Sequence, residues 1–173
     1  DIVIAVKEGG PHPDSNARLR QVMQNAKSAN MPKDNVLRAI KKASDKDTAN
    51  YEEISLEGYA VHGIAIFIDC ATNNNNRTVA NVRSYFNKFE GRLGTNGSLE
   101  FIFDKKGVFY INKENIPLPL DQFEMQLIDA GLEEMQAEGD SIIVFVEFGN
   151  FNEMSNFLES MKIDIETAEA QRI

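Results

Sequence analysis

Tryptophan is absent from this chain and cysteine occurs once, as Cys70. A single cysteine closes no internal disulfide, so burial and hydrogen bonding must hold the fold, which suits a reducing, cytoplasmic setting. No apolar run approaches the roughly 20 residues that a membrane span requires. The opening residues Asp1 to Lys7 carry charge and lead directly into Glu8-Gly9-Gly10, which is not the pattern of a secretory leader. Histidine is scarce. His12 stands in a proline-rich loop and His62 in a turn before a strand, and neither has a cysteine, histidine or carboxylate at metal-ligand spacing. There is no Walker loop and no dinucleotide fingerprint, because Gly91, Gly94 and Gly97 are not followed by a helix. Cys70 closes an apolar strand and reads as an inert core thiol. These shortages point away from an enzyme, from a metal or cofactor site, and from a membrane partner.

What is present is a folded composition, 42% hydrophobic with a net charge of −9. An acidic chain repels phosphate, but the average conceals an asymmetry. Residues 16–43 hold Arg18, Arg20, Lys27, Lys33, Arg38, Lys41 and Lys42 against one acid, Asp34. Residues 51–113 balance at zero, and residues 114–173 set fourteen acids against Lys162 and Arg172. The front of the chain is basic and the back is strongly acidic.

Glu8 to Ser15 reads as a loop whose Asp14 or Ser15 caps the next helix. Leu19, Val22, Met23, Ala26 and Ala29 then recur at helical spacing. After Asn30-Met31, Pro32 suits the first turn of a second helix with the stripe Val36, Leu37, Ile40 and Ala43. Arg38 and Lys42 fall opposite Ile40, with Lys41 on the flank. Two short helices packed through these stripes would present a basic outer surface. Ser44 to Asn50 reads as a polar linker.

The period then changes. Strands are expected at 54–59 and 63–71, the second apolar on both faces over Ile64 to Ile68 and therefore central in its sheet. A helix over Thr78 to Phe89 buries Val79, Val82, Tyr85, Phe86 and Phe89, and a strand over Ser98 to Phe103 follows the glycines. This β-β-α-β block lacks a partner helix and strand. From Gly107 the pattern becomes a strand at 107–112, a helix at 120–130 with Phe123, Leu127 and Ile128 inward, strands at 133–137 and 141–147, a helix at 151–161 and a strand at 165–171. That order is β-α-β-β-α-β, a ferredoxin-like split unit. The class is α+β in three lobes: a basic helical module at 1–50, an α/β middle lobe at 51–104, and a ferredoxin-like acidic lobe at 105–173.

Particular stretches resemble a known family. Glu8-Gly9-Gly10-Pro11-His12-Pro13-Asp14-Ser15-Asn16, Ala29 to Asn35 with its Met31-Pro32-Lys33-Asp34-Asn35 block, and Arg38-Ala39-Ile40-Lys41-Lys42-Ala43 resemble the YebC family. So do Tyr51-Glu52-Glu53, Glu57-Gly58-Tyr59, Asn76-Arg77-Thr78-Val79-Ala80, Ile128-Asp129-Ala130-Gly131 and Glu166-Thr167-Ala168-Glu169. The family includes bacterial regulators and the mitochondrial translational activator of cytochrome oxidase. Its members usually carry a further basic helical segment at the front and a further helix and strand at the back, so this chain resembles a fragment or ordered core. The family's turn residues are replaced by Asn73 and Asn75, and its glycine-rich turn appears as Ala60-Val61-His62-Gly63. The resemblance implies three lobes and a regulatory protein that binds double-stranded DNA or, as the mitochondrial relatives suggest, ribosomal RNA on the ribosome.

Candidate contacts to nucleic acid are Arg18, Arg20, Lys27, Lys33, Asn35, Arg38, Lys41 and Lys42, with Arg77 and Arg83 as a second group. Arg and Lys in this setting position a phosphate backbone and suggest no base-reading code. The competing reading is a solvated helix surface. For Met31 to Asn35 it is a structural role in setting the angle between helices. For Asn76-Arg77-Thr78, where a helix N-terminus attracts anions, it is simple capping.

Overall fold

Asn16 decides where the first long helix begins. It is 95% buried, its backbone is extended, and its Oδ1 accepts from the amide of Leu19 at 2.9 Å. Its Nδ2 donates to the carbonyls of Ala5 at 2.7 Å and Gly10 at 2.8 Å. One side chain thus caps α2 (Ala17–Ser28) and closes the C-terminal end of α1 (Ile2–Gly9). The cap is Asn16 itself, not Asp14 or Ser15, which lie in a short 3₁₀ turn before it. Gly9 is required by this contact, because a Cβ there would lie 2.6 Å from the Asn16 amide nitrogen. The first residues also do more than lack a leader pattern: Ile4, Ala5 and Val6 are buried within α1. A run of adjacent apolar residues has no 3.6 period, which is why this short helix is not announced by its spacing.

The computed structural model describes residues 1–45 and 51–173, so most of the linker expected at 44–50 lies outside the described residues. The architecture is α+β with two antiparallel sheets. By contacts the chain forms two units, one of residues 1–19 and 34–104, the other of residues 20–33 and 105–173. The segment 1–50 is divided between them.

In the first unit, α3 (Lys33–Ser44) buries Val36, Ile40 and Ala43 but leaves Leu37 48% exposed. The sheet has the order β2-β1-β3, from β1 (Glu52–Tyr59), β2 (Ala65–Thr72) and the two-residue β3 (Arg92–Leu93), with α4 at Asn75–Lys88. Three sequence expectations are corrected here. The apolar strand β2 is at an edge and its residues 65–68 are only half-buried; the central strand is β1, with Leu56, Glu57 and Gly58 buried. An apolar run reports what its faces touch, not whether both its edges are paired. Cys70 on β2 is accordingly half-buried, not a core thiol. Second, Ser98 to Phe103 forms turns instead of a strand. The buried Glu57 carboxylate accepts from the amides of Gly97 at 2.7 Å and Leu99 at 2.5 Å, and from the Ser98 hydroxyl at 3.4 Å, which ties this segment into a loop. Third, Tyr85 and Phe89 are exposed on α4, whose buried anchor is Phe86.

In the second unit the sheet order is β5-β6-β4-β7, built from β4 (Lys105–Asn112), β5 (Leu132–Glu138), β6 (Ser141–Glu147) and β7 (Ile165–Arg172). All pairs are antiparallel, and α5 (Leu120–Ile128) and α6 (Phe151–Ser160) complete the ferredoxin-like pattern. Phe109, Phe123, Leu127, Met154 and Leu158 are fully buried in one cluster, each stabilising by about 1.5–3 kcal/mol relative to exposure. Ile128, expected inward, is exposed, because α5 ends there and turns through Gly131.

The outer edge of β7 is covered by side chains of α2. Asn25 donates to the Ala168 carbonyl at 2.8 Å and accepts from its amide at 3.1 Å, as a neighbouring strand would. Gln24 donates to the Ile165 carbonyl at 3.1 Å, and Ser28 to that of Glu166. Open strand edges invite foreign pairing, and these amides occupy this one. Helix α2 ends in a Schellman turn: Asn30 is left-handed at φ 56°, with Met31 N–H bonded to Ala26 and Asn30 N–H to Lys27.

Two measurements follow from this packing. Asn16→Ala removes a cap worth about 1 kcal/mol and strands the buried Ala5 carbonyl at about 1–3 kcal/mol, while the part-buried Gly10 carbonyl can turn to water. A loss of about 2–4 kcal/mol in urea denaturation is expected, and a loss under 1 kcal/mol would show that water replaces the amide. At Cys70, burial first and then the Asp69 charge push the thiol pKa above its usual range. Thiolate is therefore scarcer in the folded than in the unfolded chain. Alkylation by iodoacetamide at pH 7.5 should be slower on the folded protein than in urea. The linked stability is fully present below the ordinary thiol pKa and is lost as pH rises through the higher folded value.

Candidate nucleic-acid interface

The ten sequence-selected residues do not form one uniform group. Arg18, in the first turn of α2, donates to Glu8 at 2.7 Å and is paired with Glu53. Burial pulls its guanidinium pKa down, but the hydrogen bond to Glu8 and the charges of Glu53 and Glu8 outweigh it, and the net shift is upward. Its charge is already answered within the fold, by two acids that lie outside the basic stretch that drew attention to it. Arg20 and Lys27 are exposed elsewhere on α2.

Helix α3 is different. Its apolar residues Val36, Ile40 and Ala43 are buried, while Lys33, Asn35, Arg38, Lys41 and Lys42 are all exposed. The face opposite the buried stripe is therefore basic, as the spacing predicts, with Asp34 as its single acid. Asp34, Leu37, Arg38 and Lys41 stand at i, i+3, i+4 and i+7 and line one shallow surface depression. Arg38 Nε donates to the Asp34 carbonyl at 3.3 Å and its Nη2 to Asn35 Oδ1. The face thus combines exposed lysine cations with one guanidinium held along the helix and the exposed side chain of Leu37.

At the second group, the start of α4 is occupied by its own residues. Asn74 Oδ1 accepts from the Arg77 amide at 2.9 Å, and the Arg77 side chain donates to Asn73 Oδ1 at 2.7 Å. Thr78 donates to the Thr72 hydroxyl at 2.7 Å. The cap of α4 is Asn74, not a residue of Asn76-Arg77-Thr78, and the Arg77 side chain is tied to Asn73. Arg83 is exposed further along α4.

Sequence reasoning passed over Asn16, Asn25 and Glu57, the polar side chains on which the supporting framework rests. Asn16 had a signal, since it directly precedes the first helical period. Asn25 and Glu57 had none, because their backbone partners at Ala168 and at 97–99 are distant in sequence. Among the described residues no helix is long and apolar enough to cross a membrane.

The family described as "TACO1/YebC protein N-terminal domain" matches residues 1–46, and "TACO1/YebC second and third domain" matches residues 51–173. A "Probable transcriptional regulatory protein" of Flavobacterium johnsoniae is 57% identical over 173 residues, covering 100% of this chain and 72% of that protein. One of Parabacteroides distasonis is 51% identical, covering 100% of this chain and 71% of its own length. Among solved structures, a conserved hypothetical protein Aq1575 from Aquifex aeolicus superposes with a TM-score of 0.78 at 33% identity, over 99% of this chain and 70% of that one. With family matches at 1–46 and 51–173 and relatives above half identity, the chain belongs to the TACO1/YebC family.

Proposed function

We propose that this chain is a nucleic-acid-binding regulatory protein that acts by contact and not by catalysis, with double-stranded DNA as its target in transcriptional control. The observation that carries this reading is the sidedness of α3: Val36, Ile40 and Ala43 are buried, and Lys33, Arg38, Lys41 and Lys42 are exposed, in a chain of net charge −9. A chain that is acidic overall but concentrates cations on one exposed helical face presents a local field suited to a polyanion. The names of the relatives, probable transcriptional regulatory proteins, support the same direction. The face is suited to meeting phosphate and not to reading base edges, so the same observation also supports ribosomal RNA as a second reading.

Residues 1–50 are not a suitable isolated test piece, because Gln24, Asn25 and Ser28 bond to β7. The test therefore uses the whole chain. Arg38→Glu with Lys42→Glu should leave the circular dichroism spectrum unchanged and weaken binding to duplex DNA on the order of a hundredfold. The slope of log affinity against log salt should fall by about 1.8, at about 0.9 per phosphate contact. Unchanged affinity in the folded double variant would remove α3 from the interface. Co-sedimentation with ribosomes, at salt matched to the DNA titration, separates the two targets. Arg18→Gln serves as the contrast. Its ion pairs are substantially exposed, so stability should change by less than about 1 kcal/mol. Binding should change little, since the charge removed was already paired.

A further inference from the structure

We propose that Asn35 is a positioning residue for Arg38, and that the pair forms the oriented phosphate anchor of the α3 face; this rests on the nucleic-acid reading above. Arg38 is held on this face in a defined hydrogen-bonded posture. Its Nη2 donates to Asn35 Oδ1, one helical turn earlier, and its Nε donates to the Asp34 carbonyl at 3.3 Å. Asparagine at i and arginine at i+3 lie side by side on a helix surface, so the contact follows from the spacing. A guanidinium has five N–H donors in a rigid fork, and these two bonds leave three for a ligand.

Phosphate oxygens match that fork in a bidentate geometry that a lysine ammonium does not offer. A long, rotamer-rich side chain loses freedom when it binds, and one already held in place loses less. Leu37, half-exposed beside Arg38 and Lys41 in the same depression, adds an apolar wall that excludes water from part of the site. Asn35 is exposed, so burial of the amide does not account for its contact. Its Oδ1 accepts from Arg38, so on this view its effect on binding passes through the guanidinium. Lys33 and Lys41 act as point charges and depend on no such partner. Binding therefore has two parts: a salt-sensitive attraction from the lysines, and an orientation set by the Asn35–Arg38 pair.

The experiment is a double-mutant cycle on the full chain, read by fluorescence anisotropy with a labelled 20-base-pair DNA duplex and a labelled ribosomal RNA hairpin over a salt series. Asn35→Ala should weaken binding about threefold to tenfold with an unchanged salt slope, since no charge is removed. Arg38→Ala should weaken it more and lower the slope by about 0.9. In the Arg38→Ala and Arg38→Lys backgrounds, Asn35→Ala should have no further effect, because the fork it orients is gone. Alanine is the better helix former, so a folding loss at position 35 is not expected, and unchanged melting confirms it. A loss from Asn35→Ala that persists in full without Arg38 overturns the proposal and makes Asn35 a contact residue. No loss from Asn35→Ala, with Arg38→Ala still harmful, overturns it while leaving the wider reading intact. If neither Arg38→Ala nor Lys41→Ala alters binding to either probe, the nucleic-acid reading of α3 falls and this inference falls with it.

Discussion

A buried backbone group must find a hydrogen-bond partner, and in this chain three polar side chains meet that requirement where helices and ladders cannot. Asn16 closes the junction between α1 and α2, Asn25 pairs the outer edge of β7, and Glu57 collects the amides and hydroxyl of residues 97–99. Each satisfies backbone groups that would be stranded without it. For α2 the start is set by Asn16 and the end by the left-handed turn at Asn30.

The distribution of charge shows the same separation of tasks. On α3 the buried stripe holds the helix while the opposite face is free to concentrate cations. Arg18, two residues from Arg20, is paired at the surface with Glu8 and Glu53. In the second unit, β5 carries Glu133, Glu134 and Glu138 along an edge strand. Charge there discourages edge-to-edge pairing, while β7 achieves the same end with amides from α2. Two edges of one sheet are thus protected by different chemistry.

Much of the secondary structure could be read from spacing alone. The stripe Val36, Ile40 and Ala43 identified α3 and placed Arg38 and Lys42 on its outer side, as observed. The run Ile142 to Val146 marked β6, and the order of elements after Gly107 gave the ferredoxin-like unit. Reading failed where a single distant partner overrode the local pattern. Ser98 to Phe103 has the composition of a strand, but the Glu57 carboxylate captures its amides first. Ile64 to Ile68 has the apolar content of a central strand, yet only β1 pairs with it. Leu37, Tyr85 and Phe89 sit at apolar positions of amphipathic helices and remain exposed, because a hydrophobic period identifies a side of a helix and not what covers it.

The sequence by itself determined the α+β class, the family, the sidedness of α3 and the separation of a basic front from an acidic back. The class, the sidedness and the charge separation depend on local periodicity and composition, and the family on short motifs such as Met31-Pro32-Lys33-Asp34-Asn35. Only the tertiary structure decided that Arg18 is paired, that Asn25 completes a sheet edge, that the α4 N-terminus is occupied by Asn74, and that Cys70 lies on an edge strand. Apart from the local Asn74 cap, these depend on which groups meet across the fold, some more than 100 residues apart along the chain, as Asn25 and Ala168 are. A hydrogen bond is decided within a few tenths of an ångström, a precision that residue spacing does not carry.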